Sequence, residues 1–304
     1  MQQESTRGRP TGQHWFITGI SSGFGLAVAE AAALRGDRVT GTVRTEQARA
    51  AILRRFPARI AVNLLEVTDE AAVRGAVAAA ESGNGPIDIV VNNAGYGLVA
   101  GVEEASLAEI RAQFEVNVFG AVAVLQSVLP FMRARRAGRI INISSVSGLV
   151  GWAGLGIYSG SKFALEGISE TLAQEVASLG IHVTLIEPGG FRTDFAGRSR
   201  AVSVRKIEDY NASVGANRRI LQQHAGHERG DPARAAQAIL AIADHARPPL
   251  RLMLGEDALG YFERKFQQQA AEIEAWKALT LSTDFGPGKR ASKAAATHSL
   301  LTKC

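Results

Sequence analysis

In the stretch YSGSKFALEG, Tyr158 and Lys162 stand four residues apart, after a long run that carries no charge. At (i, i+4) on a helix the two side chains share one face. A phenol alone is a poor acid–base group near neutral pH, because its unperturbed pKa is about 10. A cation one turn away favours the phenolate and brings that pKa toward neutrality. The pair can therefore give and take back a proton, provided that something holds a second reactant against it. Taken alone, its default reading is a surface tyrosine beside a solvated lysine.

A holder for such a reactant is written earlier in the chain. TGISSGFG places Gly19, Ser21, Ser22, Gly23, Phe24 and Gly25 between the apolar run HWFIT and an Ala-rich helical pattern. Glycines let a backbone approach a pyrophosphate closely, and the helix start adds N–H donors and the positive end of its dipole. The spacing, T-G-x(3)-G-x-G, differs from the usual dinucleotide fingerprint. Which dinucleotide would bind is read at the end of the second strand, where an acid suits the ribose of NAD and an arginine the 2′-phosphate of NADP. There the chain has GTVRTE, with Arg44 and no carboxylate at the strand end. Planar guanidinium donors suit phosphate. NADP(H) is the favoured cofactor, and Glu46, two residues on, keeps NAD(H) open.

The bulk numbers set bounds. The chain has 304 residues, 46% hydrophobic and 21% charged, the composition of a folded protein with a sizeable core. Its net charge is +5, but Lys289, Arg290, Lys293 and Lys303 follow Asp284 with no acid among them, so four of the five charges sit in the tail. The body thus gives no electrostatic basis for nucleic-acid binding. The one cysteine is Cys304, which leaves no internal disulfide and suits a reducing, cytoplasmic setting. The polar start, MQQESTRGRPTGQHW, lacks the apolar core of a signal peptide. Two uncharged runs, Val116–Met132 and Ile140–Ser161, contain Asn117, Gln126 and Pro130 or are rich in Ser and Gly, so neither is expected to span a membrane.

The elements that must position these residues follow from periodicity. Short apolar runs at His14–Thr18, Arg38–Val43, Arg59–Asn63, Ile87–Val91, Gly138–Ser144, Ile181–Glu187 and Leu250–Leu254 predict seven strands. Helical patterns fall between them, from about Phe24 to Arg35, from about Asp69 to Glu81, and from near Ser106. Strands apolar on both faces and separated by helices imply a parallel sheet covered on both sides. Right-handed crossovers then wind it doubly. The expected organisation is a polar arm over 1–12, one domain over 13–285 with a lid-like insertion at 195–230, and a disordered basic tail over 286–304. The insertion is long, polar and basic, and connections of that length are commonly functional. His224 and His227, spaced H-x-x-H within it, have no Cys or acid pattern beside them, so no metal is expected.

Taken together, TGISSGFG, NNAG (Asn92–Gly95), the asparagine of FEVNVFG, NISS before YSGSK, and EPGGFRT (Glu187–Thr193) resemble the short-chain dehydrogenase/reductase family in its common one-domain form. The resemblance covers roughly Gln13 to Ala246. It implies an α/β fold with a single doubly wound, Rossmann-like parallel sheet of about seven strands. It also implies an NADP(H)-dependent oxidoreductase that interconverts an alcohol and a ketone or aldehyde.

By that resemblance Tyr158 and Lys162 are the acid–base pair, and Lys162 also holds the nicotinamide ribose. Ser145, thirteen residues before the tyrosine, is the serine that contacts the substrate oxygen, with Ser144 its neighbour. Asn117 completes the set, holding a water that connects Lys162 to solvent. The glycine turn, Arg44, Asn93, Ala94, Gly95, Pro188, Gly189 and Thr193 meet the cofactor. Where the family commonly has Asp-Val near the adenine, this chain has Glu66–Val67, one methylene longer. Trp152 and Phe195 flank the site and could line an apolar pocket or simply pack. EPGGFRTDFAGRS is similar to members acting on lipophilic alcohols. The resemblance also suggests a homodimer or homotetramer through the helices starting near Ser106 and Gly156. Two other readings share the same motifs. One is a non-catalytic NADP(H)-binding sensor or scaffold, and the other a redox-neutral lyase or epimerase.

Overall fold

The computed structural model describes residues 12–56, 59–193 and 200–285. The expected arm over 1–12, apart from Gly12, the tail over 286–304, and Phe195 lie outside the described residues. By internal packing the chain falls into two compact units, up to Leu259 and from Gly260 on.

In the first unit, strands and helices alternate. In chain order they are β1 (His14–Ile17), α1 (Gly23–Arg35), β2 (Arg38–Val43), α2 (Glu46–Arg55), β3 (Ile60–Leu64), α3 (Glu70–Gly83), β4 (Ile89–Asn92), β5 (Gly97–Val99), α4 (Leu107–Phe114), α5 (Ala121–Arg135), β6 (Gly138–Ile143), α6 (Gly156–Val176), β7 (Ile181–Pro188), β8 (Arg200–Val202), α7 (Ala216–His224), α8 (Pro232–Asp244) and β9 (Arg251–Leu254). Helix α9 (Glu256–Leu281) starts in the first unit and supplies the second.

Seven strands form one parallel sheet in the order β3-β2-β1-β4-β6-β7-β9. The central strands are largely apolar because both faces are covered. Trp15 and Ile17 pack with α1, α2 and α8 residues such as Val28, Ile52 and Ile239, whereas Phe16, on the opposite side of the pleat, packs with Val77, Val124 and Met132 of α3 and α5. The strand order reverses between β1 and β4, and a crevice at such a reversal is where open α/β sheets bind ligands.

The helix boundaries have local causes. Gly36 ends α1 in the left-handed conformation at φ 96°. Ser106 and Glu109 form a reciprocal capping box at the start of α4. Asp231 caps α8, with Pro232 in its first turn. The stretch Leu107–Arg135 is long and apolar enough to cross a membrane by composition, with mean hydropathy 1.5 in its best window. Here it is a layer helix that packs on the sheet through Val124, Val128 and Met132.

Within the expected insertion, residues 200–230 are ordered structure rather than open loop. Strand β8 pairs in parallel with β5 as a second, two-stranded sheet, with Leu98 opposite Ala201. A π-type turn, Asn211–Gly215, leads into α7. Three-residue strands leave almost no periodicity to read, which is why neither was anticipated.

Candidate active site

The loops that leave β1 and β4 are laced together. Thr18 Oγ1 accepts from the backbone N–H groups of Asn93 and Ala94, both at 3.0 Å, and Asn93 Nδ2 donates to the carbonyls of Thr18 and Gly19, both at 2.9 Å. Gly19 and Gly23 adopt positive φ, 72° and 61°, which a side chain would strain. A Cβ on Gly25 would lie 2.5 Å from Gly19 O and closer still to Asn93 Nδ2. Ser22 stands at the N-cap of α1 and makes no side-chain cap bond, so first-turn N–H groups face outward, and Ser21 beside it is exposed. A bare-backbone cradle at a helix start fits the pyrophosphate of a dinucleotide. Phe24 instead sets its ring against Phe191, with centroids 5.1 Å apart.

At the end of β2, Arg44 is exposed and has no ion pair among the described residues. Glu46, the alternative ribose ligand, is paired with Arg49 at 3.3 Å. Glu66 is exposed, and its Oε1 accepts from Thr68 N at 3.4 Å. Val67 is buried and stands where a Cβ on Gly120 would come within 2.8 Å of its Cγ2.

Asn117, Ser145, Tyr158 and Lys162 are all buried, at 2%, 8%, 5% and 6% exposure. The surface reading of the tyrosine–lysine pair therefore does not apply. Ser145, not Ser144, hydrogen-bonds the Tyr158 side chain. Ser145 Oγ also accepts from Ser147 N at 3.0 Å, which fixes its orientation. Lys162 Nζ donates to the Ile143 carbonyl at 2.7 Å and stands 5.9 Å from the centre of the Tyr158 ring.

One expectation changes here. The Tyr158 phenol is pushed up to about 12, because burial penalises phenolate by more than the Ser145 hydrogen bond relieves. Lys162 is pulled down to about 8, again by burial, against the opposing charge of Glu166. Its ammonium is thus directed at a strand-end carbonyl in this state rather than at the phenol. Asn117, for its part, commits both amide hydrogens to the protein and keeps one lone pair of Oδ1 unspent. Its Oδ1 accepts from Tyr96 N at 3.1 Å, and its Nδ2 donates to Tyr96 O at 3.0 Å and to Ser161 Oγ at 3.1 Å. The residue sits in a π-type turn, Glu115–Gly120, between α4 and α5, an irregularity common at functional sites and invisible to a helical pattern.

Ser161 was missed by sequence reasoning. Its hydroxyl donates to the Tyr158 carbonyl at 2.7 Å while accepting from Asn117, so it ties the π turn to the tyrosine's helix. The available signal was its place directly before Lys162 inside YSGSK. A second buried polar chain runs from Asn92 Nδ2 to Asn142 Oδ1 at 2.9 Å and from Asn142 Nδ2 to Ser169 Oγ at 2.8 Å.

The segment after β7 folds back over the glycine turn. Pro188 is buried at the strand end, and Gly189 N donates to Leu254 O at 2.9 Å. A Cβ on Gly189 would lie 2.5 Å from Asp257 Oδ2, the oxygen that accepts from Gly190 N at 2.7 Å. Thr193 reaches Gly23, where an added Cβ would be 3.6 Å from its own Cβ. The residues after β1, β4 and β7 thus meet around the glycine turn, and Asn117 and Ser161 tie the loop after β4 to Tyr158.

On the far side, the buried carboxylate of Glu104 gathers three donors. These are Gly101 N at 2.9 Å, Ile207 N at 3.0 Å and Arg218 Nη2 at 2.8 Å. Asn217 Nδ2 donates to Ala153 O at 2.6 Å, next to the half-buried Trp152. Residues 200–218 are in this way fastened to the turn after β5 and to the loop that precedes α6.

Comparison with known proteins bears on what the cleft can do. Residues 13–203 match the family model described as short chain dehydrogenase. The chain is 41% identical over 270 residues to Oxidoreductase BOA17 of Botryotinia fuckeliana, covering 88% of this chain and 98% of that one. It is 38% identical over 242 residues to the 3-ketodihydrosphingosine reductase of Bacteroides thetaiotaomicron (79% and 86%) and 36% identical over 248 residues to Retinol dehydrogenase 8 of Homo sapiens (77% and 79%). Among solved structures, a short-chain dehydrogenase from Streptomyces avermitilis superposes with a TM-score of 0.84 at 40% identity, covering 90% of this chain and all of that one. A Burkholderia phymatum short chain dehydrogenase/reductase in complex with NAD gives 0.73 at 27% identity, covering 85% and 95%.

Proposed function

The chain belongs to the short-chain dehydrogenase family of oxidoreductases acting on CH–OH groups, and on that premise we propose that it interconverts an alcohol and a ketone or aldehyde with NADP(H), Tyr158 serving as general acid and base. The observation that carries the proposal is the buried hydrogen bond between Tyr158 and Ser145, with Lys162 one helical turn along the same helix.

When bound, the nicotinamide supplies hydride to the substrate carbon or accepts it. The remaining work belongs to the chain. Ser145 directs its hydroxyl at the substrate oxygen and steadies the charge that develops there. Tyr158, protonated because burial holds its phenol at about 12, is ready to donate to that oxygen in the reductive direction. The phenolate left behind is an anion in a buried site, and the Lys162 ammonium is the cation within reach to stabilise it. Asn117 and Ser161 act by position, holding the π turn and the Tyr96 loop against α6. In the oxidative direction the proton moves the opposite way through the same groups.

Arg44 supports NADP(H) over NAD(H), since Glu46 is engaged by Arg49 and the strand end offers a cation alone. A lipophilic substrate is favoured by two relatives whose names specify a ketosphingoid base and a retinol, and by the exposed side chains of Val102, Val202 and Val204 on the segments bordering the start of α6. The exposed Leu107, Phe119 and Phe163 on α4 to α6 suit a homodimer or homotetramer. Placement in the cytoplasm belongs to the same reading.

The test is oxidation of NADPH and NADH by the purified protein against a panel of long-chain ketones, aldehydes and quinones, beside Tyr158→Phe. Turnover that is faster with NADPH and lost in the variant supports the proposal. Cofactor binding without turnover on any carbonyl favours the sensor reading. Net-neutral conversion of substrate without NADPH consumption favours a lyase or epimerase.

A further inference from the structure

The catalytic face of α6 does not stop at Lys162. Tyr158, Lys162, Glu166 and Glu170 follow at intervals of four residues and so form one stripe along the helix. Glu166 is 5% exposed, and facing it is Glu187 at the end of β7, fully buried at 0%. One cation serves both carboxyls: Arg251 Nε lies 3.0 Å from Glu166 Oε2 and 3.3 Å from Glu187 Oε1. Its other arm is spent on Glu170, at 2.5 Å.

Neither oxygen of Glu187 receives a hydrogen bond from any donor among the described residues. Two buried carboxylates side by side with one shared guanidinium are not stable as two full charges. A proton on one of them resolves the contact, because a carboxylic acid can donate where a carboxylate can only accept. Glu187 is the member that carries the proton, because Arg251 hydrogen-bonds Glu166 and not Glu187; burial first and the charge of Glu166 second push Glu187 up in the same sense. Burial pushes Glu166 up as well, but the Ser144 hydroxyl and Arg251 work against that rise, and the direct Arg251 hydrogen bond makes Glu166 the member left as the anion. Gly148 leaves the room for this arrangement, since a Cβ there would lie 2.7 Å from Ser144 Oγ and 3.3 Å from Glu166 Oε1.

We propose that Glu166, kept ionised by a proton held on Glu187, is a positioning residue whose buried charge keeps Lys162 an ammonium beneath Tyr158. Among the described residues Glu166 is the acid whose charge acts on Lys162, and the other groups facing the cluster are Tyr158 and Glu170 on α6, Arg251 on β9, and the Ser144 and Ser145 hydroxyls after β6. Its bond to the Ile143 carbonyl orients the ammonium without neutralising it. The proposal rests on the Tyr158–Lys162 reading above, but its test is run without substrate, so that absence of turnover and absence of the electrostatic link are separate results.

The experiment follows the Lys162 ε-carbon by NMR against pH in the full chain, assigned with Lys162→Arg, in wild type, Glu166→Gln, Glu166→Asp and Glu187→Gln. Infrared spectra at pH 7 report any protonated carboxyl. Glu166→Gln should lower the Lys162 titration midpoint by at least about one pH unit, and Glu166→Asp should restore most of it. Glu187→Gln should leave the midpoint where it is or raise it, and should abolish the carboxylic C=O band. If Glu166→Gln does not fold, the aspartate and Glu187 variants decide. The proposal fails if the glutamate variants move Lys162 in the same direction, if its midpoint ignores Glu166, or if wild type has no such band. For a protein that turns over, the alkaline limb of kcat/KM should follow the NMR midpoint across the series.

Discussion

Asn117 and Tyr96 form a closed pair of hydrogen bonds, the side-chain amide of one matching both backbone groups of the other at 3.1 and 3.0 Å. The amide thus imitates a neighbouring strand and fixes the Asn93–Tyr96 loop to the π turn. Asn117→Asp keeps the acceptor for Tyr96 N but sets a second acceptor against Tyr96 O. It should therefore disturb the loop at least as much as Asn117→Ala, by about 1–3 kcal/mol. Chemical denaturation of both variants measures this, and an aspartate as stable as wild type would contradict it.

Tyr158→Phe removes the transferable proton while keeping the ring. Turnover should fall by roughly 10²–10⁴-fold, the usual share of general acid–base catalysis. The rise in melting temperature on adding NADPH should persist, because the cradle at Gly19–Gly25 is untouched. Activity and thermal shift measured on one preparation separate the two effects.

Arg44→Ala should weaken NADPH much more than NADH. A charge-assisted hydrogen bond contributes about 1.5–3 kcal/mol, so KM for NADPH should rise by about 10–100-fold. Equal losses for both cofactors would place Arg44 outside the 2′-phosphate contact.

The buried Lys162 makes stability depend on pH in a defined window. Its folded pKa, about 8, lies below the ordinary lysine value of 10.5. Below pH 8 both states hold the proton and the burial cost is complete. From there to about 10.5 the unfolded chain binds more protons, so this group's contribution to stability rises with pH. Lys162→Met lacks that dependence. The melting temperature of the variant minus that of wild type should therefore be greatest below pH 8 and shrink toward pH 10. Tyr158, raised to about 12 from 10, enters only above that range.

Arg218→Ala leaves the Glu104 carboxylate with its two backbone donors and no cation. Loss of one partner of a buried pair costs about 3–5 kcal/mol, and here it should be felt mainly by residues 200–224. Hydrogen exchange should quicken there while the central sheet stays protected. For bulky substrates KM should rise more than kcat falls.

What the sequence disclosed, and what it withheld, divides along physical lines. Strands buried on both faces announce themselves as apolar runs, so the seven-stranded sheet was legible from β1 to β9. The glycine turn and Tyr158–Lys162 were legible because their chemistry is local in sequence. The clamp of Glu104 on Arg218 was not, because it joins residues 114 apart and each looks like an ordinary surface charge. Glu166 and Glu187 were hidden for the same reason: nothing in either neighbourhood says that the two acids meet. The side-chain bonds of Asn117 and the protonated state of Tyr158 depend on burial, which spacing does not report.

The strand order has a consequence for how the chain is made. From β1, strands β2 and β3 add successively to one edge, and β4, β6, β7 and β9 to the other, each in the order of synthesis. No later strand has to wedge between two earlier ones, so a chain emerging N-terminus first always offers its next strand an open edge. The glycine turn and the Asn93 loop that laces it are both specified before Ser145 or Tyr158 has left the ribosome. In this molecule the cradle precedes the chemistry in time as well as in sequence, and the acid–base face of α6 is laid onto a scaffold already under way.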